Sequence, residues 1–96
     1  MTYRLLAPAL DDLDHIDAWV ASRFGETVAS KVSENLFDLF DLLAANQQMG
    51  LVRRDITDAP VRFFSQGPNW IIYEPGDPLL IHRIYPAAKD LQQFTL

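Results

Sequence analysis

The chain has 96 residues, of which 49% are apolar and 22% charged, so it is read as one globular domain over residues 1–96 rather than a disordered chain. With no cysteine it has neither a disulfide framework nor thiolate chemistry, and no apolar run approaches the roughly 18 residues of a membrane span. A net charge of −5 argues against nucleic-acid binding driven by bulk charge, because phosphate neutralisation is the work of Lys and Arg.

In chain order, residues 2–6 read as a short strand ahead of Pro8, which sits where a helix can begin. Residues 8–24 follow as an amphipathic helix with Leu10, Leu13, Ile16, Val20 and Phe24 in one stripe and Trp19 at its border. Asp11 and Asp12 are placed in its first turn, and the run through Asp14 is read as helix capping plus a solvated face. Asp17 falls inside the stripe, which suggests a place at the solvated end of the contact or a pairing with an arginine of the sheet. Gly25 ends this helix, and residues 26–45 form a second one with Val28, Val32, Leu36, Leu39 and Leu43 as its main stripe. Phe37, Phe40 and Ala44 make an adjoining stripe. A connection this short forces an antiparallel helical hairpin.

Residues 46–60 are a loop of turn formers and charges. Three runs rich in β-branched and aromatic residues come next, at 61–65, 70–74 and 79–85, separated by Gln66-Gly67-Pro68-Asn69 and Pro75-Gly76-Asp77-Pro78. They predict a three-stranded antiparallel meander, and residues 91–96 add a final turn or a frayed end. The architecture expected is therefore α+β: an N-terminal strand, an antiparallel helical hairpin and a three-stranded antiparallel meander. The opening residues lack the apolar core of a secretion signal, so the default expectation is a cytoplasmic location without membrane contact.

Candidate chemistry is sparse. His15 and His82 are the only histidines and have no second ligand at a metal-binding spacing, so no metal or cofactor is expected. His15 lies one turn after Asp11, where a solvated ion pair would account for it. Ser65, His82 and Asp55 could be named as a triad, but nothing around Ser65 resembles a nucleophile elbow. The four glycines stand singly, so there is no phosphate-cradling loop. The sheet remains. Alternation along the strands groups Arg62, Phe64, Trp70 and Ile72 on a face that the hairpin does not cover, either an open apolar binding surface or a face closed by the C-terminal turn. Phe64, Trp70 and Ile72, with Trp19, Phe37 and Phe40 of the hairpin, would then make an apolar groove for a partner helix, with Trp70 as its main anchor.

The ordered set Tyr3 to Pro8, Ala9, Asp12-Leu13, Ile16, Phe24-Gly25, Ala29, Met49-Gly50, Arg53, Asp55, Val61-Arg62, Trp70-Ile71-Ile72-Tyr73, Ile81-His82-Arg83-Ile84 and Lys89-Asp90-Leu91 resembles the RelE/ParE superfamily of small bacterial toxins. The resemblance implies the same strand, hairpin and meander. It is stronger to the ParE branch, whose members are described as DNA gyrase poisons held inactive by a ParD-like antitoxin. On that resemblance the partners are the antitoxin and gyrase, in a hetero-oligomer with the antitoxin that meets DNA only indirectly. Arg62, Arg83 and Lys89 become candidates for target contact, with no catalytic residue. The RelE-like alternative is ribosome-dependent cleavage of messenger RNA, which requires cations and a tyrosine on the sheet. Here Arg62 matches one of the basic positions of that pattern, but Phe64 and Trp70 stand where it has others, Lys89 replaces an arginine, and no tyrosine follows Tyr85. Tyr85-Pro86-Ala87-Ala88 also departs from the ParE branch, which leaves a ParE-fold binding module without toxic action as a third reading.

Overall fold

The computed structural model describes residues 2–96. Its elements are β1 (Tyr3–Leu5), α1 (Ala7–Phe24), α2 (Glu26–Ala45), β2 (Arg62–Gln66), β3 (Asn69–Glu74), β4 (Leu79–Pro86) and a 3-10 turn, Leu91–Gln93. They form the expected α+β architecture, with a mixed sheet in the order β1-β4-β3-β2. β1 runs parallel to β4, and the other pairs are antiparallel. Neither helix is long and apolar enough to cross a membrane.

The hairpin turns on one residue. Gly25 donates its amide to the Ala21 carbonyl and accepts from the Ala29 amide, ending α1 and starting α2 at φ 93°. A side chain at that φ would be strained, and glycine is not. Because α1 begins at Ala7, Asp11 and Asp12 lie a turn deeper than the sequence pattern placed them. Its inward stripe is Ala9, Leu13, Ile16 and Val20, whereas Leu10 and Phe24 at the ends of the predicted stripe face solvent.

Cross-strand register decides which side chains share a face. A two-residue turn at Gly67 and Pro68 sets Phe63 opposite Ile72, Phe64 opposite Ile71 and Ser65 opposite Trp70. Phe64 therefore lies with Ile71 and Tyr73 on the helix side, in a core with Phe40, Leu43, Leu79, Ile81 and Ile84. Trp70 and Ile72 lie on the other side with Val61, Phe63 and Tyr85. The face expected to hold Arg62, Phe64, Trp70 and Ile72 together does not exist, because the sequence grouping was one residue out of step across the first turn.

That second side is not open. Phe94 lies edge-on to Phe63 and Tyr85 at 5.8 and 5.5 Å between ring centroids, and Leu91, Ile56 and Ala59 complete the cover. Two of the six expected groove residues, Phe40 and Ile72, are fully buried in the domain's own cores. Each contributes about 2 kcal/mol or more to folding by its burial and offers no surface to a partner.

Candidate functional site

A groove of about 750 Å³ lies between the helical hairpin and the β2–β3 turn. α1 supplies His15, Ile16, Trp19 and Val20, α2 supplies Val32, Asn35 and Leu36, and the far wall is Gln66, Gly67, Pro68 and Asn69 with Pro86 and Ala88. No Asp, Glu, Lys or Arg lines it, although the chain carries 21 such residues, counted as 8 basic and 13 acidic. α1 packs over β4 and β1 and α2 over β1, and neither helix makes a comparable contact with β2 or β3. The groove lies between the hairpin and the end of the β2–β3 turn that the helices leave uncovered.

Trp19 is the most exposed aromatic lining it, at 54%. Phe24, 62% exposed, meets the indole edge-on at 6.2 Å, and the Arg23 guanidinium stands 5.0 Å from the indole centroid. Beyond each other and the Arg23 guanidinium, two aromatic rings this exposed leave much of their surface to solvent, which is costly for a monomer and suited to a contact. Phe64 shares its sheet face with Gln66 of the groove wall and is half-buried. Phe37 is exposed on α2, edge-on to Phe40. Trp70, half-buried on the opposite face, is the expected anchor that the register moves away from the groove. Sequence pattern missed the far wall, because nothing in Gln66 to Asn69 or in Pro86 and Ala88 signals that the chain folds them opposite α1.

The three cations expected to meet a target are engaged to different degrees. Arg62 donates from Nη1 to the Gly50 carbonyl at 2.9 Å. Arg83 donates from Nε and Nη2 to the two carboxylate oxygens of Asp12 at 2.7 and 3.0 Å, and this contact raises its pKa. Asp12 also accepts the Ile84 amide at 2.9 Å, so it is a structural carboxylate rather than part of a solvated face. Past the end of β1, that bond closes the outer edge of β4, and Pro86 two residues on has no amide to offer. Of the two places expected for Asp17, the structure has the solvated one: Asp17 is exposed, and the arginine of β4 pairs with Asp12 instead. Lys89 is exposed, with its ammonium 5.8 Å from the centre of the Tyr85 ring.

Other polar groups are structural. His15 shares a hydrogen bond through Nδ1 with the Asp11 carbonyl rather than pairing with its carboxylate. His82, the bulged residue of β4, contacts Glu74 Oε1 at 2.9 Å. Tyr73 donates its hydroxyl to the Gln47 carbonyl and accepts the Gly50 amide, both at 2.8 Å, and burial raises its pKa. Among the described residues no group of three or more His, Cys, Asp or Glu side chains is gathered to hold a metal ion.

The sequence model of a family described as the ParE toxin of the type II toxin–antitoxin system parDE matches residues 3–91. Among solved structures, a chain titled "Chromosomal ParDE TA system from P. aeruginosa" is similar, with a TM-score of 0.71 and 24% sequence identity over 90% of this chain and 95% of that one. At that identity the likeness is one of fold. No curated protein sequence matches the chain significantly.

Proposed function

The chain belongs to the ParE toxin family of type II toxin–antitoxin systems, and on that premise we propose that it is a toxin that binds DNA gyrase and blocks replication, neutralised by a ParD-like antitoxin seated in the hairpin groove. The observation that carries the antitoxin part is the groove itself, uncharged along its lining in a chain of net charge −5 and headed by an exposed tryptophan. An amphipathic helix lays its apolar face into a surface of this kind, and an aromatic anchor at its edge carries much of the energy. Trp19, with Phe37 and Phe64 as flanking contacts, is the centre of the proposed antitoxin surface. Trp70 enters only if the antitoxin also reaches the second face.

The proposed action on the target is binding without catalysis. Metal-free cleavage of RNA needs cations that converge on one phosphoryl group and a group to take the 2′-hydroxyl proton. Arg62 lies on the helix side of the edge strand β2, whereas Arg83 lies opposite Ile72 and is held by Asp12 at the far edge of the sheet. These placements favour contact over catalysis, with Lys89 the least encumbered of the three cations.

Inducing the protein in a bacterium tests the reading. Filamentation with DNA-damage signalling is the expected outcome. Prompt arrest of translation with ribosome-dependent RNA cutting would replace it with the ribonuclease reading, and normal growth would leave a ParE-fold binding module without toxic action.

A further inference from the structure

The chain leaves the sheet at Pro86, crosses Ala87 to Lys89, and returns to cover the second sheet face with Leu91 and Phe94. The last hydrogen bond that ties this segment to another part of the fold is Ala87 N–H to the Pro68 carbonyl, at 2.8 Å. Beyond it the bonds are local: Lys89 to Pro86, Gln92 and Gln93 to Asp90, and Phe94 to Leu91. Among the described residues, then, nothing polar fastens residues 90–96 to the helices or to β2 and β3. What holds them is a single buried ring, Phe94 at 4% exposure, with Leu91 half-buried beside it. Segments with few buried apolar contacts and no hydrogen bonds to the body open well below the global unfolding free energy.

We propose that residues 90–96 are a releasable strap, and that withdrawal of Phe94 opens the second sheet face while the rest of the domain stays folded. The helix-side core does not depend on the strap, since Phe40, Leu43, Ile71, Tyr73, Leu79 and Ile81 pack without any residue beyond Ile84. Release bares the rings of Phe63 and Tyr85. It also changes the surroundings of Arg83 and Lys89, whose charges stand 5.5 and 5.8 Å from the centre of the Tyr85 ring. The strap rests on this geometry alone, and only its bearing on those two cations rests on the proposed function.

The test uses the intact protein and a protease that cuts after aromatic residues. Such an enzyme must take the aromatic ring into its specificity pocket with the residues before it extended in its cleft, so cleavage between Phe94 and Thr95, where the ring is buried, reports release of the strap itself. It is expected to precede the cuts at Phe40 and Phe63 and to rise only slightly between water and about 1 M urea, because little surface is exposed on release, whereas those two follow global unfolding and accelerate steeply with urea. A second measurement is dye binding by Phe94→Ala. Fluorescence of a dye specific for apolar surface should rise about threefold or more while the melt remains a single cooperative transition. The proposal is overturned if Phe94 is cut only together with Phe40 and Phe63, or if the variant loses cooperative melting. Neither readout involves gyrase or an antitoxin, so failure here and failure of the toxin reading are distinguishable.

Discussion

Replacing Asp12 by alanine tests whether the edge of β4 is held as described. The substitution removes two hydrogen bonds to the Arg83 guanidinium, at 2.7 and 3.0 Å, and leaves the Ile84 amide without its acceptor at 2.9 Å. A charge-assisted bond of this kind contributes about 1.5–3 kcal/mol when buried, and an exposed ion pair less than about 1. With the carboxylate side chain at 15% and the guanidinium side chain at 27% exposure, the discounted total is about 2–3 kcal/mol. For a domain of this length that lowers the melting midpoint by roughly 10–20 °C. Urea unfolding of the wild type, Asp12→Ala, Arg83→Ala and the double variant measures the pair directly, with a coupling energy of at least about 1 kcal/mol expected. Asp12→Asn should fall between, because its remaining carbonyl oxygen can still accept from Ile84. A loss below about 0.5 kcal/mol for Asp12→Ala, or a cycle without coupling, would refute the reasoning. The same cycle bears on function. If Arg83 acts on the target through its charge, Arg83→Ala abolishes activity beyond what its loss of stability explains.

Trp19→Ala should weaken binding of the cognate antitoxin by at least about 30-fold, or roughly 2 kcal/mol, in a calorimetric titration, with little change in the melt of the free domain. Trp70→Ala should do the reverse, costing about 2 kcal/mol of stability because it packs against Phe63, Ile72 and Tyr85, and changing antitoxin affinity by less than about threefold. Gly50→Ala would set a Cβ 2.7 Å from the Tyr73 hydroxyl and 2.8 Å from its ring, and should destabilise the fold by about 1–3 kcal/mol in urea titration. Tyr73→Phe leaves the Gly50 amide and the Gln47 carbonyl without that partner and should cost about 1–3 kcal/mol. Burial raises the Tyr73 pKa, so its contribution is complete below the ordinary phenol value near 10 and is lost as pH rises through the folded value. Wild-type stability should therefore fall above about pH 10, less steeply in Tyr73→Phe, with Tyr3 supplying a remainder because burial, Asp41 and Asp38 raise it as well.

Element type and order were legible because each rests on a local signal. Apolar positions three and four apart mark both helices, Pro8 and Gly25 mark where helices start and stop, and the clusters around Gly67 and Gly76 separate the strands. The parallel pairing of β1 with β4 carries no such signal, since its partners are more than 70 residues apart. Face assignment failed for a narrower reason. Alternation within a strand was read correctly, but carrying it across a turn requires the sum of paired positions, and Ser65 opposite Trp70 fixes that sum at 135. An even-numbered residue of β2 then shares a face with an odd-numbered one of β3. Counting outward from the turn in the sequence would have put Phe63 with Ile72 and Phe64 with Ile71.

The same parity explains why Phe63, Ile72 and Tyr85 share the face turned away from the helices. Phe63, Ile72 and Tyr85 form a cluster that no helix reaches, and the chain covers it with its last residues and with Ile56 and Ala59 of the long loop. The helix side is different in kind: α1 and α2 pack over β4 and β1, and beside the β2–β3 turn the cover is incomplete. Trp19 at the rim of that gap shows the consequence in the sequence itself. It borders the apolar stripe of α1 because it faces neither the core nor open water alone. A tryptophan in that position is accounted for by a partner's apolar face more readily than by solvent, and its substitution is where the binding proposal is most exposed to test.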